Sequence, residues 1–142
     1  MECIGGSGVM EDSMMPRLYR EAPINAIWEG SGNVQCLDVL RALSKTPAVM
    51  DAFYTEINKA QGAHALLDRY VADLAIQLKD SRKFEYRARD VVDRMALALQ
   101  ASLLVRHAPS FISDAFCESR LAQVGQRNYG TLQLGADTAA LI

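Results

Sequence analysis

Residues 82–107 read RKFEYRARDVVDRMALALQASLLVRH, and this stretch decides the class of fold. Its apolar side chains recur at the spacing of one face of an α-helix. The apolar positions are Phe84, Ala88, Val91, Met95, Ala98 and Val105. Two pairs of opposite charge, Glu85 with Arg89 and Asp90 with Arg94, have the four-residue spacing that places partners side by side on the other, solvated face. The stretch therefore predicts a long helix with one buried face.

Helical spacing continues on both sides of this stretch. It predicts helices over 16–21, 32–44, 46–60, 63–79 and 110–124, and a weak helix in the last dozen residues. No stretch alternates with the period of a β-strand over a useful length. The sequence therefore predicts an all-α fold in which five or six helices pack as a bundle.

Helix boundaries are predicted from capping residues. Ser13 can cap the first helix, and Pro23 ends it, because the residue before a proline is disfavoured in the helical region. Residues 24–28 are then expected to be extended or irregular. Ser31 or Gly32 begins the next helix, whose apolar residues cover most of its circumference, so we expect deep burial there.

Composition bounds the function. A chain of 142 residues with 50 % apolar side chains can fold around one core. The formal net charge of −2 gives no electrostatic case for strong nucleic-acid binding, and no apolar run approaches the length of a membrane span. Cys3, Cys36 and Cys117 are far apart, and with the isolated His64 and His107 they offer no metal-ligand spacing. We expect reduced, mostly buried thiols in a cytoplasmic protein and no metal site.

A second stretch carries the candidate chemistry. Residues 25–33 read NAIWEGSGN and place Glu29 between an apolar pair, Ile27 and Trp28, and a glycine-flanked helix start. A carboxylate packed against apolar side chains loses hydration and becomes a stronger proton acceptor. The free N–H groups at the start of the following helix suit a phosphate. The spacing alone fits equally a loop glutamate followed by an ordinary helix N-cap.

Three motifs together resemble the C-terminal segment of acyl-CoA dehydrogenases. They read CIGGSG at 3–8, MPRLYRE at 15–21 and IWEGSGN at 27–33. With CLDVLR following at 36–41, the third motif looks like the AidB-like branch of that family. The resemblance is close over residues 1 to about 43. The tail beyond resembles AidB-like proteins in helical character and length.

This resemblance implies an active-site residue and a cofactor. Glu29 falls on the position of the family's catalytic base, which removes the α-proton of an acyl-CoA thioester while a hydride passes to the flavin of FAD. Ser31 and Asn33 match positions that contact the phosphate region and the adenine end of FAD. Glu2 and Gly6 match positions near the cofactor of a neighbouring subunit.

Several residues near these motifs have more than one interpretation. Trp28 either lines an acyl pocket or packs in the core. Arg17 and Arg20 either contact phosphate or form structural ion pairs with carboxylates. Gly6 is expected to permit close backbone approach. Glu2 stands where the family commonly has a glutamine, and a carboxylate cannot donate the corresponding hydrogen bond.

The resemblance also implies a division of the chain and a set of partners. Residues 1–44 are expected to end a dehydrogenase C-terminal domain, and residues 45–142 to form an AidB-like helical extension packed as one unit with it. The N-terminal helical domain and middle β domain of the family enzyme would lie outside this chain. We therefore expect Glu29 to be solvated here, and the chain alone to lack dehydrogenase activity and to bind little FAD. Family members are commonly tetramers, so a homo-oligomer is expected.

Two other functions stay open. AidB-like proteins are linked with DNA binding and protection from alkylation, and a basic cluster could serve that role. The cluster consists of Arg82, Lys83, Arg87, Arg89 and Arg94. Acidic residues interrupt it, which is more typical of a salt-bridged helix face. An oligomerisation domain without catalysis is the other possibility, since helix 32–44 and the second half of helix 82–107 need apolar partners.

Overall fold

Helices make up the regular structure of this chain. The computed structural model describes residues 1–80, 84–122 and 139–140, and no strand occurs within those ranges. The α-helices are α1 (Met15–Glu21), α2 (Gly32–Lys45), α3 (Ala48–Ile57), α4 (Ala65–Lys79), α5 (Ala88–His107) and α6 (Ser110–Leu121). Four 3-10 helices span Glu2–Val9, Ala22–Ala26, Asn58–Ala60 and Glu85–Arg87. The all-α prediction is confirmed.

The helix α5 lies at the centre of the bundle. Helices α2, α3, α4 and α6 all pack against it. Its fully or nearly buried face comprises Ala88, Val91, Met95, Ala98, Ala101 and Ser102. One apolar cluster joins this face to Leu74 of α4, and a second joins it to Leu67 of α4 and to Cys117 and Leu121 of α6. The periodicity of the sequence therefore identified four of the six buried residues of α5, whereas the predicted Phe84 and Val105 are only partly buried.

The start of α5 differs from the prediction. The α-helix begins at Ala88 rather than at residue 82, after a 3-10 turn over Glu85–Arg87, and residues 81–83 lie outside the described ranges. The guanidinium of Arg87 donates to the main-chain oxygen of Asp80 and lies over the ring of Phe84, with 5.6 Å between the guanidinium carbon and the ring centroid. These contacts join the 3-10 turn before α5 to the end of α4.

The predicted deep burial of α2 is wrong for this chain. Only Leu40 is buried, while Val34 is 57 % exposed and Leu37 is 44 % exposed. One face of α2 meets α3 and α5, and the remaining apolar side chains have no covering group among the described residues. A helix that is apolar all round signals burial only when a partner surrounds it.

The buried face of α6 is not its most apolar one. The structure buries Ser113, Cys117 and Leu121, whereas Phe111 and Ile112 stay exposed. The hydroxyl of Ser113 donates to the main-chain oxygen of Ser110 at 3.0 Å, so it can be buried without losing its hydrogen bond. The predicted end of this helix at 123–124, the turn at 125–130 and most of the weak terminal helix lie outside the described ranges.

Residues 1–31 form a segment that we call the N-terminal arm. In it, α1 packs against the 3-10 helices on either side. The hydroxyl of Ser13 accepts a hydrogen bond from the amide of Met15 at 3.3 Å, but the N-cap residue of α1 is Met14, which forms no side-chain capping bond. Pro23 does not lead into an extended segment, because Ala22 keeps helical angles and a 3-10 helix follows. Proline is tolerated at the first turn of a helix, where its missing N–H has no partner to lose.

No helix within the described ranges combines the length and the apolar character needed to cross a membrane.

Candidate functional site

Glu29 lies in a turn between the second 3-10 helix and α2. The amides of Ile27 and Trp28 both donate to the main-chain oxygen of Ile24, at 3.0 and 2.9 Å, and close the 3-10 helix. Glu29 then adopts φ +62°, and Gly30 follows with φ +120°. Among the described residues Glu29 is the only non-glycine residue with positive φ. Such a conformation costs an L-residue roughly 1–2 kcal/mol, so the surrounding structure must hold it.

A side chain of α2 contacts this turn. The Nε2 group of Gln35 donates to the main-chain oxygen of Glu29 at 2.7 Å. A β-carbon placed on Gly30 would lie 3.3 Å from that same Nε2 and 3.4 Å from Cγ1 of Val34. Sequence reasoning missed Gln35. A search for an Asn or Gln side chain in the first turns of a helix that follows a predicted left-handed turn could have identified Gln35.

The side chains around Glu29 are open to solvent. Ile27 is 63 % exposed, Trp28 is 59 % exposed, and Glu29 is itself exposed. The core interpretation of Trp28 is therefore wrong for the described residues, and the apolar pair does not desolvate the carboxylate. The expectation that Glu29 is solvated in this chain is confirmed.

The start of α2 offers unused hydrogen-bond donors. Ser31 is the N-cap residue, and its hydroxyl makes no capping hydrogen bond. The first main-chain bond of the helix runs from the amide of Gln35 to the oxygen of Ser31 at 3.0 Å, which leaves the amides of the first turn free. Asn33 is exposed beside them. A hydroxyl and free amides at a helix start are the donors that a phosphate group takes, so these residues fit the phosphate part of FAD.

A guanidinium of the extension lies against this helix start. A β-carbon on Gly32 would lie only 2.9 Å from Nη1 of Arg89, so with any other residue at this position the guanidinium would have to shift. The contact joins the first turn of α2 to α5, and the two helices border a cavity of about 490 Å³. Arg89 was predicted to pair with Glu85, and the structure shows no such ion pair. The other predicted pair is present, with Nε of Arg94 3.1 Å from Oδ2 of Asp90.

The two predicted residues near the N-terminus lie in the first 3-10 helix. Glu2 is exposed, as is Gly6, and neither forms a hydrogen bond with Ser31 or Asn33 in the described part of the chain. A β-carbon on Gly6 would meet nothing within 4 Å, so the close approach expected there is not made within this chain. The backbone instead requires glycine at Gly5, where φ is +67°.

The arginines of α1 form ion pairs, as one of the two interpretations held. Arg17 lies 3.2 Å from Glu21, and Arg20 lies 2.7 Å from Glu11. The hydrogen bond from Arg20, together with its charge, lowers the pKa of Glu11. These exposed pairs brace the N-terminal arm and are not directed at a ligand.

Two residues of the basic cluster are engaged within the chain. Arg94 forms an ion pair with Asp90, as the interspersed acidic residues predicted, whereas Arg87 donates to the main-chain oxygen of Asp80. Arg82 and Lys83 lie outside the described ranges.

The three cysteines are free thiols in three environments. Cys3 is exposed, Cys36 is intermediate and Cys117 is buried, so the prediction of mostly buried thiols holds fully for one of them. Burial, followed by the charges of Asp114 and Glu118, raises the pKa of Cys117 to about 11. Across residues 1–80 and 84–122, no three His, Cys, Asp or Glu side chains are grouped so that they could hold a metal ion.

The helical fold and the linked motifs of the N-terminal arm point to one class of domain, the C-terminal domain of the acyl-CoA dehydrogenase family. Residues 1–44 match the family described as acyl-CoA dehydrogenase, C-terminal domain. The chain belongs to the acyl-CoA dehydrogenase family and carries part of its C-terminal domain.

Two known proteins are similar to this chain. It is 38 % identical over 121 residues to the putative acyl-CoA dehydrogenase AidB of Escherichia coli K12, a match that covers 85 % of this chain. It is 44 % identical over 62 residues to acyl-CoA dehydrogenase family member 11 of Caenorhabditis elegans, over 44 % of this chain. The matches span 22 % and 10 % of those two proteins. The similarity to AidB therefore extends beyond the family motifs into the helical extension.

Proposed function

We propose that this chain is the C-terminal portion of an FAD-dependent, AidB-like acyl-CoA dehydrogenase, and that Glu29 is its base. The parent reaction is the α,β-dehydrogenation of an acyl-CoA thioester, in which FAD supplies the acceptor for the hydride. The observation that carries the proposal is the turn at Glu29. A lone carboxylate is held in a left-handed conformation directly before a helix start with free donors.

The residues of this chain have separate roles in the proposed site. Glu29 takes the α-proton on its carboxylate. Ser31, Asn33 and the free amides of α2 hold phosphate and adenine groups of FAD. Trp28, which is exposed beside Glu29, lines the acyl pocket together with parts of the parent protein. Glu2 and Gly6 serve the cofactor of a neighbouring subunit.

The exposed apolar side chains of the N-terminal arm support the proposal that partners outside this chain cover them. They include Ile4, Met14, Leu18, Tyr19, Ile24, Ile27 and Trp28. We propose that the N-terminal helical domain and the β domain of the parent, and further subunits of a tetramer, cover them in a cytoplasmic flavoprotein. Residues 1–44 then complete the dehydrogenase domain, and residues 45–142 form the extension. The chain alone is expected to show no turnover and little affinity for FAD.

The test is a Glu29→Gln substitution in the full-length protein. Glutamine keeps the shape but cannot take the proton, so exchange of the α-proton of a bound acyl-CoA with solvent deuterium should be lost while FAD stays bound. Glu21→Gln, an exposed carboxylate of the N-terminal arm that pairs with Arg17, is the matched control and should exchange at the wild-type rate. Exchange that survives in Glu29→Gln at the wild-type rate would show that another residue is the base.

The DNA-binding alternative has less support from the described residues. Arg87 and Arg94 are already engaged within the chain, and Arg89 lies against Gly32. DNA binding stays a prediction, as does an oligomerisation role without catalysis.

A further inference from the structure

We propose that Gln35 is a positioning residue for Glu29. Its side-chain amide holds the main chain of Glu29 in the left-handed conformation from which the carboxylate projects. The proposal deepens the proposed function and rests on it.

The conformation of Glu29 needs a restraint. Non-glycine residues with φ near +60° are uncommon, and they persist where neighbouring groups fix them. The side chain of Glu29 is exposed, so packing does not supply this restraint. Among the described residues, the bond from Nε2 of Gln35 to the main-chain oxygen of Glu29, at 2.7 Å, is the hydrogen bond that joins Glu29 to α2.

The donor stands on a rigid support. Gln35 lies in the 14-residue helix α2, and its own amide bonds to the oxygen of Ser31 at 3.0 Å. One residue therefore closes the first turn of α2 through its main chain and fixes the preceding turn through its side chain. This couples the carboxylate of Glu29 to the same helix start that offers donors to phosphate.

Gly30 makes the approach of this amide possible. A β-carbon at Gly30 would lie 3.3 Å from Nε2 of Gln35, tighter than most real contacts of that kind. The φ of +120° at Gly30 is also one that L-residues rarely adopt. The turn is therefore built from three parts: a strained Glu29, a glycine without a side chain, and an amide that reaches over it.

The first experiment measures the backbone of Glu29 directly, by NMR on the 142-residue chain. A positive φ brings the amide proton of a residue close to its own α-proton, which gives a strong intraresidue nuclear Overhauser effect. In Gln35→Met, which keeps a helix-forming side chain of similar length but has no donor, this effect should weaken to that of an ordinary residue. Gln100→Met, an exposed glutamine of α5, is the control and should leave it unchanged. An unchanged effect in Gln35→Met would overturn the proposal.

The second experiment measures kinetics in the full-length flavoprotein. Because a misplaced base loses reactivity more than binding, Gln35→Met should lower kcat and α-proton exchange by about 10- to 100-fold with KM nearly unchanged. A raised KM at unchanged kcat, or wild-type values of both, would overturn the positioning role. Wild-type exchange in Glu29→Gln would instead overturn the proposed function, so the two failures are distinguishable.

Discussion

The N-terminal arm and the helical bundle formed by α2–α6 differ in where their apolar side chains lie. In the bundle, Leu67, Leu74 and Val91 are at most 1 % exposed, whereas in the arm Tyr19 and Trp28 are 63 % and 59 % exposed. The arm carries the first two family motifs, most of the third and the proposed base, and the bundle carries the core. The segment with the candidate chemistry thus leaves its apolar side chains open to solvent, whereas the bundle packs on itself.

This difference is what we expect if Glu29 serves the proposed site. A cleft is formed by side chains from several segments, and those of one segment alone stay open to water. Glu29 and Trp28 are exposed in this chain. The ion pairs of Arg17 and Arg20 shape the arm, but exposed pairs of this kind contribute little to stability.

The largest expected contrast is between two apolar truncations. Leu74→Ala removes a fully buried side chain that packs against Val91, Met95 and Ala98, and should lower the free energy of unfolding by about 2–5 kcal/mol. Trp28→Ala removes a larger but exposed side chain of the arm and should change it by less than about 0.5 kcal/mol. Urea unfolding of the 142-residue chain, followed by circular dichroism, measures both. Equal losses would mean that the arm contributes to the core.

A smaller effect is expected at a buried polar group. The hydroxyl of Ser102, which is fully buried in α5, donates to the main-chain oxygen of Ile57 at the end of α3, at 3.2 Å. Ser102→Ala removes this buried hydrogen bond between α5 and α3 and should cost about 0.5–1.5 kcal/mol. Ser44→Ala removes an exposed hydroxyl that bonds within its own helix and serves as the control. If the two variants unfold at the same urea concentration, Ser102 does not tie α3 to α5.

The smallest expected effect depends on pH. The hydrogen bond from Lys59, followed by that from Arg106, lowers the pKa of Glu56 from 4.5 to about 2. A lowered pKa contributes stability that is fully present above the unfolded value, and this is lost as the pH falls from about 4.5 towards 2. Between pH 6 and pH 2 the thermal midpoint of the wild type should therefore fall further than that of Glu56→Gln.

The arm supplies the control for this pH dependence. Glu11 pairs with Arg20 in the same chemical way, but in a segment outside the core. Glu11→Gln should therefore leave the pH profile of the main unfolding transition unchanged. Parallel profiles for wild type and Glu56→Gln would contradict the assignment of Glu56 to the stability of the bundle.

The sequence predicted the parts of the fold that depend on local pattern. The buried face of α5 and the paired Asp90 and Arg94 follow from spacing along one helix, and the linked motifs identified the family. The burial of α2 could not be predicted, because it depends on which partners surround that helix. The burial of Ser113 in α6 was not predicted, because Phe111 and Ile112 are more apolar, although the local hydrogen bond of Ser113 allows its burial.

The candidate site was predicted in its residue types and not in its geometry. Glu29 and Ser31 could be named from the motif, and because they are two residues apart, the sequence already placed them close to each other. The left-handed backbone of Glu29 and the hydrogen bond that it accepts from Gln35 depend on how the turn packs against α2, which the motif does not reveal. The contact of Arg89 with Gly32 joins two distant helices, and only the tertiary structure reveals it.

The most direct test of the contrast between the two regions is amide hydrogen exchange, followed by mass spectrometry, on the 142-residue chain. We predict slow exchange in α4 and α5, whose side chains form the core, and fast exchange throughout residues 1–26, where few apolar groups are buried. Protection of the arm equal to that of α5 would show that it folds firmly within this chain. That result would contradict the claim that its site depends on groups outside it.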